Sequence, residues 1–174
     1  MKINFYYNKI SGNIYLLLIF LLIGIRCFFN AVVPLLDKTE ARYGEIARIM
    51  SETKNWLIPH IDYGVPFWAK PPLSSWMTAF SINVFGNSEF FVRLPYLLVS
   101  IVMIFLTCRY SSLNKSEKLV PAIILLTIPE FFLHVGVVST DLFLSFSVAI
   151  VFFSFWEYIL SSNNKWIFIF FIGL

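Results

Sequence analysis

The chain has 174 residues, of which 59% are hydrophobic, 19% aromatic and only 13% charged, with a net charge of +3. A soluble domain carries about a quarter charged residues, and no soluble core of this length hides so much apolar surface, so the composition describes an integral membrane protein. The positive charge is small and dispersed and does not argue for nucleic acid as a partner.

The first predicted span covers residues 13–33, preceded by Lys2 and Lys9. Its basic start resembles a signal peptide, but Arg26 interrupts it and no small-residue cleavage site follows, which fits a retained helix. Further apolar runs at 90–108, 119–135 and 142–160 approach the roughly 20 residues a spanning helix needs. A fifth run, 166–174, is too short to cross a bilayer, and reads as the start of a further helix in a longer protein. The whole chain is therefore expected to be the N-terminal part of an all-α transmembrane bundle. Cys27 and Cys108, both inside apolar runs, are read as small apolar fillers.

Short basic segments set the orientation. Lys2 and Lys9, then Arg109, Lys115 and Lys118 against Glu117 alone, then Lys165, fall on one side if four helices alternate. The positive-inside rule makes that side cytoplasmic. Residues 37–89 then form a large outer segment. Within it, Asp37 or Thr39 can cap a helix whose apolar stripe is Ile46, Ile49 and Met50. Four prolines and Gly64 between positions 56 and 72 predict turned or extended chain. Residues 73–85 return to a helical, apolar pattern, so two interfacial helices joined by a Pro-rich bend are expected against the bilayer.

Several polar residues stand where chemistry is plausible on physical grounds. Asp37, Glu40 and Arg42 sit at a membrane mouth, where carboxylates can position or deprotonate an acceptor or hold a divalent cation. The same acids also suit the first turn of a helix. Lys70, between Trp68 and a Pro-Pro step, is either a fixed point charge for phosphate or a snorkelling lysine in an aromatic belt. Asp141 opens the fourth apolar run, where an acid is costly unless capped, paired or functional. Glu130 and His134, one helical turn apart, are either a metal or proton site or a hydrogen-bonded pair facing the bundle. Arg26 and Arg93 are cations near the outer boundary, available to a phosphate or to Asp37 and Glu89. Glu157 reads as a snorkelling acid, and His60 carries no assigned role.

The stretches DKTEARYGEIARIM, NWLIPHIDYGVPFWAKPPLSSW, FGNSEFFVRLP and STDLFL occur in this order between Asp37 and Leu144. Together they resemble the lipid A aminoarabinose transferase and protein O-mannosyltransferase-like family, membrane glycosyltransferases of the GT-C type that use polyprenyl-phosphate-linked sugars. The resemblance covers residues 26–146 and implies a multi-helix bundle with two juxtamembrane helices in a large first outer loop. It implies a polyprenyl-phosphate-sugar donor, a lipid A or other envelope acceptor, and a multi-pass place in the bacterial inner membrane with a cytoplasmic N-terminus. The family's acidic pair falls on Thr39 and Glu40, so Asp37, at a second acidic position of the family, becomes the preferred carboxylate. The family's phosphate-binding lysine falls on Lys70 and its later acid on Asp141. Where aminoarabinose transferases carry a metal-linked Glu before that lysine, this chain has Ala69, which weakens both a divalent metal and that particular sugar. On this reading Asp37 orients the acceptor or acts as base, Glu40 assists, and Lys70 with Arg93 and Arg42 meets the leaving phosphate. Family members are much longer, so the alternatives are an inactive fragment of a split or decayed gene or, against the nearly apolar spans, a piece of a transporter.

Overall fold

A computed structural model describes residues 12–111 and 117–174. Lys2, Lys9 and Lys115, which enter the orientation argument, lie outside the described residues. Three helices are long and apolar enough to cross a membrane: α1 (Gly12–Val32), α4 (Glu89–Arg109) and α7 (Thr140–Ser161). Leu17, Phe20 and Phe28 of α1 and Phe152 of α7 stay more than half exposed, as expected for faces that meet lipid. A last helix, α8 (Lys165–Gly173), turns back to pack along α7.

The run at 119–135, expected as one helix, is divided. Helix α5 (Val120–Thr127) ends before Pro129, and α6 (Pro129–His134) begins there. Proline has no N–H and its ring crowds the preceding residue out of the α region; Ile128 accordingly sits at φ −70°, ψ 116°. The broken segment still carries the chain back. It leaves the Arg109 end of α4, packs against α4 and α1, and brings Val135 to the last turns of α1. Proline is handled differently inside α4, where Pro95 frees the carbonyl of Phe91. Ser81 Oγ donates to that carbonyl at 2.6 Å, so the lost helix bond is replaced by a tie to the neighbouring helix.

The outer segment is a helical platform. Helix α2 (Lys38–Thr53) starts at Asp37, whose carboxylate accepts from the amides of Thr39 and Glu40, and ends at Lys54 in the left-handed region. Its stripe does not face lipid: Ile46, Ile49 and Met50 are at most 1% exposed. Tyr43, Ile46, Ala47 and Met50 instead form one core with Ala79 and Ile82 of α3 (Leu73–Phe85), Tyr96 of α4 and Leu142 and Phe143 of α7. Between α2 and α3 runs a small antiparallel hairpin, β1 (His60–Asp62) and β2 (Val65–Pro66), turning through Gly64 at φ +77°. The hairpin is fastened to α2 through Tyr63, whose hydroxyl donates to Glu52, itself bound with Glu45 to Arg48. The indole of Trp76 donates to Trp56 O at 2.6 Å and closes the bend on the other side.

Candidate donor-phosphate site at the end of the bundle

Lys70 owes its position to the bend before it. Phe67 is fixed by its amide, which donates to Pro59 O at 2.7 Å, and by edge-on contact with Tyr43 in the core. Three residues later Lys70 meets Pro71 and Pro72, whose rings restrict the backbone where α3 begins. Asp141 arrives from a distant part of the chain, in the first turn of α7, where a carboxylate suits the helix dipole. Lys70 Nζ and Asp141 Oδ1 stand 3.9 Å apart, both largely exposed, at a cavity of about 330 Å³. Pro71, Leu73, Ser74, Thr140, Phe143 and Ser147 also line it. An exposed pair at this distance contributes at most about 1 kcal/mol. Its value lies in placement: a cation and an acid face one polar–apolar cavity at the end of two apolar helices.

Glu40 and Arg93 are placed otherwise. Their side chains are about 5% exposed and form a two-pronged pair, Nε to Oε1 at 2.8 Å and Nη2 to Oε2 at 2.7 Å. The other N–H groups of Arg93 go to the carbonyls of Asn30, Val33 and Pro34, where α1 runs out of intrahelical donors. All five guanidinium donors are thereby engaged. Arg93 therefore seals the end of α1, with its donors engaged within the protein. Glu40 Oε1 also accepts from Val138 N at 3.3 Å. It fixes the segment of chain that leads into Asp141, and both of its oxygens accept bonds from within the protein.

Asp37 is exposed, and its two helix-capping amide bonds, at 2.8 and 3.2 Å, hold its carboxyl below the usual carboxylate range. Arg42 is exposed on the same helix. Neither lines the Lys70–Asp141 cavity. Arg26 is likewise structural: it donates to Val135 O and Leu133 O and lies over the Phe132 ring. Glu130 and His134 are paired at 3.5 Å on α6, with Glu130 exposed away from the bundle. Cys27 and Cys108 are both free. Among the described residues no three His, Cys, Asp or Glu side chains converge on one point, and Ala69 offers no ligand beside Lys70. The described residues do not fit a metal centre.

Two features escaped the reading of the sequence. Asn30, a polar residue in an apolar helix, is 3% exposed and donates to Val135 O at 3.4 Å. Gly136, at φ +83°, leaves room for that amide: a Cβ there would lie 1.8 Å from Asn30 Nδ2. Asn30 was a visible signal; Gly136 becomes meaningful only once the two segments meet.

Residues 69–174 match the family described as dolichyl-phosphate-mannose-protein mannosyltransferase. The chain is also similar to three bacterial proteins named undecaprenyl phosphate-alpha-4-amino-4-deoxy-L-arabinose arabinosyl transferase. That of Wigglesworthia glossinidia brevipalpis is 33% identical over 130 residues, 72% of this chain and 22% of the relative. Transferase 2 of Proteus mirabilis is 32% identical over 51% of this chain and 16% of its own length. The Shewanella sediminis protein is 41% identical over 31% of this chain and 10% of its own. The chain thus spans about a fifth of the length of the first of these relatives. No solved structure matches it.

Proposed function

This chain belongs to the dolichyl-phosphate-mannose-protein mannosyltransferase family, and from that premise we propose that it forms part of a membrane glycosyltransferase. The enzyme moves a sugar from a polyprenyl-phosphate donor to a lipid A or other cell-envelope acceptor at the outer face of the bacterial inner membrane. The observation that carries this reading is the meeting of Lys70, from the Lys-Pro-Pro step, with Asp141 at one cavity beside the ends of apolar helices. A polyprenyl-phosphate sugar keeps its tail in lipid and presents its reactive bond at that boundary.

In the transfer an acceptor oxygen attacks the anomeric carbon, the bond from that carbon to the phosphate oxygen breaks, and the phosphate leaves with one more negative charge. Lys70 meets that growing charge, which stabilises the transition state more than the ground state. Asp141, 3.9 Å from Lys70 at the same cavity, accepts the acceptor's proton or orients its hydroxyl. Asp37 is ionised at neutral pH and keeps an outer role in guiding the acceptor, with Arg42 beside it; an acceptor that is itself a phosphate needs no base. The test is transfer from a radiolabelled polyprenyl-phosphate sugar to lipid A in membranes bearing the protein at matched levels. Lys70→Ala and Asp141→Asn are each expected to lower transfer about 10²-fold, with Lys70→Arg recovering part. Undiminished transfer by Lys70→Ala would make Lys70 an interfacial anchor and end the proposal.

A further inference from the structure

A second cavity, of about 490 Å³, shares no lining residue with the one beside Lys70. Its apolar lining comes from Ala31 and Leu35 at the end of α1, Gly44 of α2 and Val92 of α4. Its charged lining is Glu45 and Arg48 of α2 and Glu89, the first residue of α4. Two spans therefore begin or end here, beside the outer segment, at the level where lipid headgroups lie. Phe28 and Val32, which flank Ala31 on α1, are 63% and 61% exposed, so the cavity adjoins a lipid-facing surface.

The charges of this cavity do not cancel. Arg48 holds both oxygens of Glu45, from Nε at 2.8 Å and Nη2 at 2.6 Å, and gives its remaining reach to Glu52 and Tyr63. That cation is spent within α2 and the hairpin. Glu89 has no basic side chain within ion-pair distance among the described residues. It is half-buried, and its Oε2 is enclosed without any hydrogen-bond donor. A carboxylate spreads one charge over two oxygens and accepts several donors. With one oxygen closed off, a cation seated against the cavity side of the group compensates for the whole charge.

The surroundings select the kind of cation. A calcium ion takes six to eight oxygen ligands, whereas a single uncommitted carboxylate lines this cavity. An ammonium group asks for less, since it brings three N–H donors of its own. We propose that the cavity seats the primary ammonium of an aminophospholipid from the surrounding leaflet, with Glu89 as its counter-ion. The lipid's chains leave along the exposed face of α1, past Phe28 and Val32. A quaternary headgroup has no N–H to donate, and an anionic headgroup is repelled by Glu89. The inference is independent of the sugar-transfer reading above.

The test is native mass spectrometry of the purified full chain in detergent. Phosphatidylethanolamine, phosphatidylcholine and phosphatidylglycerol with the same acyl chains are titrated separately. Phosphatidylethanolamine is expected to bind about tenfold more tightly than either, the value of a hydrogen bond to a charged group. Glu89→Gln keeps the side chain's shape and should bring phosphatidylethanolamine to the phosphatidylcholine level, with phosphatidylcholine unchanged. Glu130→Gln, the same charge change at an exposed acid of α6, should bind like wild type. Ala41→Phe fills the cavity from α2 while Glu89 stays intact, and should weaken phosphatidylethanolamine about tenfold. A preference that survives in Glu89→Gln, or phosphatidylcholine bound as tightly as phosphatidylethanolamine, overturns the inference. Free ethanolamine competing as well as the lipid would assign the cavity to a soluble amine, and displacement by calcium would assign it to a metal ion. Either result overturns the lipid assignment. Lys70→Ala should leave phosphatidylethanolamine bound; its loss there would place the lipid at the other cavity and sink the proposal.

Discussion

Arg93→Met puts the largest single demand on the structure. The substitution keeps much of the apolar stem but removes a guanidinium that serves five acceptors. Glu40 is left charged, 5% exposed, with only the Val138 amide at 3.3 Å as partner. Removing one member of a buried ion pair typically costs about 3–5 kcal/mol. The carbonyls of Asn30, Val33 and Pro34 lose their donors too, though at a helix end water replaces part of that loss. About 3–5 kcal/mol is therefore expected for Arg93→Met, and less for Glu40→Gln, which leaves no bare charge on the acid side. Because the two residues touch, the double variant should be less destabilised than the sum, with a coupling of about 1–3 kcal/mol. Denaturant unfolding of the purified chain in detergent, followed by far-UV circular dichroism and tryptophan fluorescence, measures all four proteins. Single-variant losses below about 1 kcal/mol with no coupling would refute the structural role, and would return Glu40 and Arg93 to the reacting groups.

Other outcomes follow from named contacts. Asp37 has a depressed folded-state pKa, so its contribution is present above the unfolded carboxylate value and is lost as pH falls through the folded one. The start of α2 should therefore loosen below about pH 4, measured by amide hydrogen exchange at Thr39 and Glu40, and Asp37→Ala should remove that pH dependence. Gly136→Ala places a Cβ 1.8 Å from Asn30 Nδ2 at φ +83°, and should destabilise by about 2 kcal/mol or more in the same unfolding assay. For orientation, single cysteines at Asp62 and Lys118 in an otherwise cysteine-free chain should label from opposite sides of the membrane, Asp62 from outside. Labelling of both from one side would contradict the arrangement.

The three long spans were legible because length and hydropathy decide them, and the predicted limits 13–33, 90–108 and 142–160 lie close to α1, α4 and α7. The break at Pro129 was visible as a residue, but an apolar window hides it: hydropathy counts side chains, whereas the break comes from a missing N–H. The stripe of α2 was legible as a stripe, but not its partner. Apolar residues at helical spacing look the same whether they face lipid or, as here, α3, α4 and α7. At the site, local pattern pointed to Lys70 and Asp141 separately, and only the return of the chain through α5 and α6 puts them together. Glu40 and Arg93 were singled out for their charge, which was sound. What pattern leaves open is whether a charge near a membrane mouth meets a ligand or another charge, since that depends on contacts between distant segments.

The claim that a lipid phosphate docks at the cavity shared by Lys70 and Asp141 is tested most directly by photo-crosslinking. A polyprenyl phosphate with a diazirine on its first isoprene unit would be bound to the full chain in nanodiscs, irradiated, and its attachment sites mapped by mass spectrometry. Label is expected on the segments that line the cavity, from Lys70 to Ser74 and from Thr140 to Ser147. Excess undecaprenyl phosphate should compete it away, undecaprenol should not, and Lys70→Ala should abolish it. Label scattered over the lipid-facing residues of α1, such as Leu17, Phe20 and Phe28, and indifferent to competition would contradict the account.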